Sequence, residues 1–439
     1  SQNMASTYKS LKCRCRVKNM NIWLTQIGEQ LPLSLDTRKM RTALLADELV
    51  QRKHSVVWWA SAFDHSSKKF LFDKDKEIFI KKNYSIRILK GKGYCNNVSI
   101  SRYIDHKIIA EKLYAEICRL QPPDIIVVSM PDHLTAFQAV RYANLKNVPV
   151  LVDVRDEWPD IFLTVFPKFL RLTVRRLLKK DFDSTANLLA NCQAITSMME
   201  SLHQWALNKA RRKKRWTDRV YYLGTMPPVD YDVDRISPQV KYLRESTRKR
   251  FVLLYIGTFG KHNDPTIMVE AAAEVKKAHK SDYFTFIIAG DGKYHNKIAQ
   301  KVENFDNVFL PGWVGQNEIS FLLSLASVGV IPSTSRRDEF PNKAFTYLSA
   351  GIPIVASSGG ELKNIVDKFH VGCFYSPNDT TGFVKLINGL VKDPGRLRKM
   401  SKNAKNLFEE RFHAVKIYSQ FADHIENIVA CQESVSKVR

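Results

Sequence analysis

IPSTSRRDEFPNKAFTYLSAGIPIVASSGGE, the stretch from Ile331 to Glu361, decides the fold. Its first apolar run ends near Pro332, a polar loop carries Asp338 and Glu339, and a helix begins at Pro341 to Lys343. A second apolar run then closes on Ser357-Ser358-Gly359-Gly360 ahead of Glu361. Strand, helix, strand at this spacing is a unit of a parallel sheet covered by helices. Backbone N–H groups at the helix start and in the diglycine turn lack intrahelical partners, and Lys343 adds a positive charge beside them, so the stretch suits an anion. The same residues also read as a mixed-charge surface turn ahead of a capped helix.

The alternation extends upstream. Phe251 to Ile256 reads as a buried strand, Pro265 to Ala278 as a helix, and Phe284 to Ala289 as a strand that ends in Gly290-Asp291-Gly292. Val308 to Leu310, Glu318 to Leu325 and Val328 to Pro332 continue it. Gly257-Thr258-Phe259-Gly260 follows the first of these strands, where a glycine turn brings backbone close to a phosphate. Its spacing is not G-x-G-x-x-G, and no G-x-x-x-x-G-K-[ST] occurs, which argues against dinucleotide enzymes and P-loop ATPases. The first half repeats the pattern: Asn21 to Gln26, Arg38 to Gln51 and Ser55 to Ala60, then Asp124 to Ser129, Leu134 to Leu145 and Pro149 to Val154.

The length of 439 residues exceeds what one core supports, so two α/β domains in series are expected, with a hinge near Gly224 to Pro228. The expected bounds are 1–19 for a tag or flexible extension, 20–225 for the first domain and 226–410 for the second. A helix over 411–439, read from Ala404 to Ile428, would cross back to the first. Such sheets bind ligands at the carboxyl ends of their strands, so two facing domains would place a site in the cleft between them.

Seven scattered cysteines imply a reducing compartment, and Cys13 and Cys15 have no second pair at zinc spacing, so no metal is expected. No apolar run approaches the roughly 20 residues of a membrane span. A net charge of +24 implies an anionic partner: nucleic acid, membrane or a phosphorylated substrate. Residues 168–180, KFLRLTVRRLLKK, set Leu170, Val174, Leu177 and Leu178 at near-helical spacing among six cations. In 209–219, KARRKKRWTDR, cations surround Trp216. Both read as docking segments for an anionic membrane, or as solvated basic faces. No zinc-finger, RNP-like or recognition-helix pattern points to nucleic acid.

In the first half, Val152-Asp153-Val154-Arg155-Asp156-Glu157-Trp158-Pro159 places charges directly at a strand end. Arg155 suits phosphate or sugar oxygens, and Asp156 suits a hydroxyl. His133 follows another strand and reads either as a site residue or as a capping or surface histidine.

From Asn21 to about His413 the sequence resembles GT-B glycosyltransferases of the large retaining family 4, in particular bacterial surface-polysaccharide fucosamine and N-acetylhexosaminyl transferases. The resemblance rests on Asn21-Ile22-Trp23-Leu24, Trp58 to His65, Arg155 to Pro159, Ala289 to Gly292, Pro341 to Gly351 and Gly359-Gly360-Glu361, in that order. It implies two Rossmann-like domains facing across a cleft. The second would hold a nucleotide diphosphate sugar, UDP-linked, with no obligatory cofactor or metal. It further implies a lipid-linked or glycan acceptor on the first domain and a cytoplasmic enzyme peripheral on the inner membrane.

Carried onto this sequence, the resemblance makes Asp156, Arg155, Lys343 and Asp338 the catalytic candidates. Gly257, Gly260, Lys261, Gly290, Glu339, Asn342, Thr346, Gly359, Gly360 and Glu361 would bind the donor, and His133 and Trp158 would face the acceptor. The family's E-x7-E motif is altered: Asp338 stands at the first position and Thr346 at the second. Thr258 lies where an arginine is frequent, and Arg155 with Asp156 replaces a frequent histidine. A GT-B-fold binding or scaffolding protein without turnover is the alternative reading.

Overall fold

Buried strands alternating with amphipathic helices build two parallel sheets in the computed structural model, which describes residues 19–34, 37, 39–97, 99–260, 263–334, 339–357 and 359–436. One unit comprises Ser1–Tyr221 with Tyr418–Arg439, the other Tyr222–Ile417. Cys13 and Cys15 lie outside the described residues.

The eight-stranded sheet of the first unit runs Arg219–Val220, Ala194–Ser197, Val150–Val154, Ile125–Met130, Asn21–Thr25, Ser55–Ser61, Tyr84–Leu89 and Lys76–Lys81. Central strands such as Ile125–Met130 and Val150–Val154 are buried throughout, as helices on both faces require. Only Lys76–Lys81 pairs antiparallel, as a mostly exposed edge rich in lysine. In the second unit all six strands are parallel, in the order Val308–Gly312, Phe284–Ala289, Phe251–Ile256, Val328–Ile331, Ile354–Ala356 and Gly372–Phe374.

The units divide at Tyr221/Tyr222 rather than at 225, for a local reason. The Tyr221 ring stacks on Phe421 at 4.5 Å and its carbonyl accepts from Arg41, whereas the Tyr222 hydroxyl donates to Glu361 at 2.6 Å. The helix expected over Ala404 to Ile428 is broken: Pro394–Leu407 ends in a wide turn at Phe408–Phe412, and a new helix runs Ala414–Ser436. The break is fixed by Thr225, whose amide donates to the Phe412 carbonyl while its own carbonyl accepts from the Ala414 amide. From Tyr418 onward this helix belongs to the first unit, where Asp423, Glu426 and the Ser419 carbonyl and hydroxyl receive Arg52.

Both basic segments differ from a single amphipathic helix. The first folds as a tight turn at Lys168–Leu170, a short helix at Arg171–Leu177 and the start of a longer one at Lys179–Asn191. In the second, Lys209 pairs with Asp160 at 2.8 Å, and Arg212 reaches the buried Asp218, so part of its charge is consumed internally.

Candidate active site

In the second unit the strand Phe251–Ile256 ends at Gly257, whose φ of +146° favours glycine. A Cβ there would lie 3.3 Å from the Lys343 Nζ, so the missing side chain is what lets the lysine approach the strand end. Gly290 (φ +139°) closes on the same turn, since a Cβ there would fall 1.9 Å from the Gly257 carbonyl oxygen. Lys343 is in the first turn of the helix Asn342–Ser349. Its ammonium lies 4.1 Å from the centre of the Tyr255 ring and donates to the Asn263 Oδ1 at 3.2 Å. Burial pushes its pKa down to about 7, with Glu339 opposing the shift.

Tyr347 anchors this helix, its hydroxyl accepting from the Ile256 amide at 3.0 Å and donating to the Leu254 carbonyl at 3.1 Å. Gly329 makes the room, because a Cβ there would stand 2.3 Å from the Tyr347 ring. Next along the edge, the Ser357 hydroxyl receives the Ser333 amide and donates to the Ser333 carbonyl. Gly359 caps the helix Gly360–Phe369, and Glu361 in its first turn is buried against Tyr222. Phe340, packed on Phe345, Phe412 and Tyr222, ties down the loop behind Glu339. The structure thus gathers Gly257, Gly290, Lys343 and Asn342 around one strand end, with Gly359, Gly360 and Glu361 at another strand end of the same sheet. Gly260 sits in a turn paired with Asn263, with open space where a side chain would be. Lys261 and Asp338 lie outside the described residues.

In the first unit Arg155 turns inward. Its guanidinium donates to Asp153 (2.9 Å), Glu29 (2.7 Å), Thr42 (2.8 Å) and Ser129 (2.9 Å). Asp153 also takes a two-point contact from Arg41 at 2.8 Å and the Thr196 hydroxyl, and the Arg41 and Asp153 side chains are each 1% exposed. Arg155 is therefore committed to a buried network with few N–H groups left for a ligand. Sequence alone does not bring Arg41, Asp153 and Glu29 together, because Arg41 meets Asp153 across 112 residues and Glu29 meets Arg155 across 126.

Beyond this network the strand ends hold a cluster of rings. Trp158 is stacked on His106 at 6.0 Å, covered by the Arg102 guanidinium at 4.6 Å and flanked by His133 and Phe162. The indole is thus a buried support, and Arg102 is the group it presents. Asp132 faces His106 Nδ1 at 3.3 Å, and Asp181 faces His133 Nε2 at 2.8 Å. His65 Nδ1 lies 2.6 Å from the Tyr94 hydroxyl, and burial with the charges of Arg102 and Lys68 pushes its pKa down to about 4. Asp156 is raised by burial, while the Glu157 amide and Arg102 hold the rise in check. Charged and hydrogen-bonding groups here converge on the carboxyl edge of the sheet, the edge at which open α/β sheets take ligands.

Residues 242–407 match the family model described as glycosyl transferases group 1. Over those residues the second unit is similar to group 1 glycosyltransferases. The O-antigen chain mannosyltransferase C of Escherichia coli is 23% identical over 187 residues, 42% of this chain and 48% of that protein. The N-acetyl-alpha-D-glucosaminyl L-malate synthase of Bacillus anthracis is 24% identical over 173 residues, 39% and 44% of the two chains. The chain thus spans about half the length of these curated relatives. Among solved structures, Anabaena Alr3699/HepE in complex with UDP superposes with a TM-score of 0.64 at 15% identity, over 93% of this chain and 99% of that one. The fold is that of GT-B glycosyltransferases, two Rossmann-like α/β domains.

Within the matched residues, Thr346 is half-buried in the helix that carries Lys343, and its hydroxyl donates to the Asn342 carbonyl one turn earlier, at 3.4 Å. If a ribose lies over this turn, Thr346→Glu should tighten nucleotide binding by about tenfold, because a carboxylate accepts from both diol hydroxyls. Thr346→Val should weaken it by roughly 0.5–1.5 kcal/mol. Calorimetry on the two variants checks this, and equal affinities in both would remove the ribose from Thr346.

Proposed function

We propose that the protein is a retaining glycosyltransferase that moves an N-acetylhexosamine from a UDP-sugar to a lipid-linked or glycan acceptor in bacterial surface-polysaccharide synthesis. The observation that carries the reading is Lys343. Its ammonium stands at a strand end opened by Gly257, in the first turn of a helix, within a group 1 domain.

In the reaction the bond from the anomeric carbon to the β-phosphate oxygen breaks, and its electron pair goes to the departing diphosphate. Lys343 and the positive ends of the helices Asn342–Ser349 and Gly360–Phe369 would stabilise that charge, with Gly257, Gly290 and Gly260 keeping the backbone close. The acceptor hydroxyl attacks from the face the diphosphate leaves, and its proton passes to the leaving phosphate oxygen. Glu361 and Glu339, with Asp338 beside it in the sequence, would bind the donor sugar. Lys261 would add charge near the diphosphate. On the first unit, Asp156 and His133 would orient the acceptor and Trp158 would support its binding surface, while Arg155 would hold that strand end in shape.

Among the described residues no helix is long and apolar enough to cross a membrane. Peripheral attachment to the inner leaflet through 168–180 and 209–219 completes the reading, with no nucleic acid as partner.

Titration with uridine, guanosine and adenosine diphosphates should give tight binding for uridine alone; tight binding of another base alone refutes the donor. Proton resonance of the first product should show the donor's anomeric configuration, and an inverted linkage refutes retention. Thr346 favours one second reading, a GT-B-fold binding protein without turnover, and nucleotide binding with no transfer to membrane extracts would establish it.

A further inference from the structure

Residues 160–177 form three short helical segments, and none of them buries a single residue. The segment is nevertheless apolar. Phe169 is 79% exposed, Leu172 73% and Leu177 79%, with Val165, Phe166 and Leu170 also outward. Lys168, Arg176, Lys179 and Lys180 stand exposed among them. Close by, the first turns of the helix Ile100–Ile117 present Ile100, at 79% exposure, with Tyr103 and Ile104. A soluble surface scatters apolar side chains singly, and this many together mark an interaction surface.

The patch joins the ring cluster directly. One oxygen of Asp181, Oδ1, accepts from the Tyr103 hydroxyl at 3.1 Å on the exposed face and lies 2.8 Å from His133 Nε2 inside the cluster. Phe162, on the first of the three segments, packs on Trp158 at 4.5 Å. The groups assigned to the acceptor therefore sit one residue behind the apolar surface.

We infer that this face inserts into the interface of an anionic bilayer, with Phe169, Leu172 and Leu177 among the acyl chains and the lysines and Arg176 at the headgroups. The acceptor is then an amphiphile whose hydrocarbon anchor stays in the bilayer while its head group meets the His133–Trp158 cluster. Mixed apolar and cationic exposure selects this occupant: apolar side chains partition into the interface, and cations add attraction that salt removes. The inference rests on the transferase reading only for what the docking serves.

The test uses the full chain with vesicles of phosphatidylcholine alone or with phosphatidylglycerol, in 0.1 M and 1 M salt. Wild type should bind the anionic vesicles in both and less tightly at 1 M, where the Debye length falls to about 3 Å. Changing Phe169, Leu172 and Leu177 together to Ser should lower the partition coefficient by roughly a hundredfold at either salt concentration. Changing Lys168, Arg176, Lys179 and Lys180 together to Gln should weaken binding at 0.1 M and have little effect at 1 M. Amide exchange should slow on vesicle addition in 160–180 and 100–104.

A triple Ser variant that binds like wild type would overturn insertion. So would unchanged exchange in 160–180, or a concentration-dependent dimer that the triple variant loses, which would make a second copy the occupant. Nucleotide calorimetry on the same samples separates the two readings, because loss of nucleotide binding would count against the transferase and leave the vesicle result standing.

Discussion

Raising the pH from 7 to 9 is expected to weaken the binding of a nucleotide sugar about fiftyfold, and Lys343→Met is expected to abolish that dependence. The nucleotide sugar is the right probe because its diphosphate has no proton to lose in this range. In the free protein burial holds Lys343 near a pKa of about 7, so the ammonium is mostly neutral at pH 8 and above. On the proposed function, a diphosphate bound at Lys343 requires the charged form, and the complex must take up a proton to make it. Calorimetry at pH 8 in buffers of different ionisation enthalpy should show close to one proton entering per nucleotide.

The sign for stability follows from the same shift. Between about pH 7 and the ordinary lysine range, the unfolded chain holds a proton that the folded chain lacks, so the lysine's destabilising effect is relieved as pH rises. Below about pH 7 the effect is fully present, and Lys343→Met should raise stability there. Under the proposed function the same group stabilises the departing diphosphate, so Lys343→Ala should lower turnover by roughly tenfold to a thousandfold. A flat pH profile in wild type, or normal turnover in a folded variant, would remove Lys343 from the diphosphate.

Asp153→Ala should cost about 3–5 kcal/mol, because it removes the carboxylate that balances the Arg41 charge in the interior of the first unit. Tryptophan fluorescence during denaturation reads that unit selectively: Trp23, Trp58, Trp59, Trp158, Trp205 and Trp216 all lie in it, leaving Trp313 in the other. Arg41 and Arg155 hold the Asp153 carboxyl far below the usual aspartate range despite its burial. Its stabilising contribution is therefore complete above that range and is lost as the pH falls below it. Arg155→Ala distinguishes two roles for that residue. The network predicts a lower denaturation midpoint, whereas a direct hold on substrate predicts slower transfer at an unchanged midpoint.

The parallel sheets were legible because strands covered on both faces read as unbroken apolar runs, as in Ile125–Met130 and Phe251–Ile256. The turn at Gly257 and the placement of Lys343 were legible for a related reason, since glycine and lysine at strand and helix ends act through backbone geometry that the chain fixes locally. The commitment of Arg155 was not. A guanidinium at a strand end looks alike whether it faces solvent or Glu29, and the deciding partners are remote in sequence. The cover over Trp158 was not legible either, because its neighbours His106 and Arg102 come from the helix Ile100–Ile117. The near-helical apolar spacing of 168–180 did not show where the burial starts: Leu177 is 79% exposed, whereas Phe182, Leu188 and Leu189 on the following helix are buried.

The helix Ala414–Ser436 sets an order of events during synthesis. Residues up to Tyr221 emerge first, yet Phe421, which stacks on Tyr221, and Glu426, which pairs with Arg52 and His54, are translated about 200 residues later. At about 5–20 residues per second the nascent first unit waits roughly 10–40 s with that groove uncovered, while the whole second unit is made. A ribosome-stalled chain ending before Tyr418 should therefore be cleaved by protease in its first 221 residues more readily than the released protein.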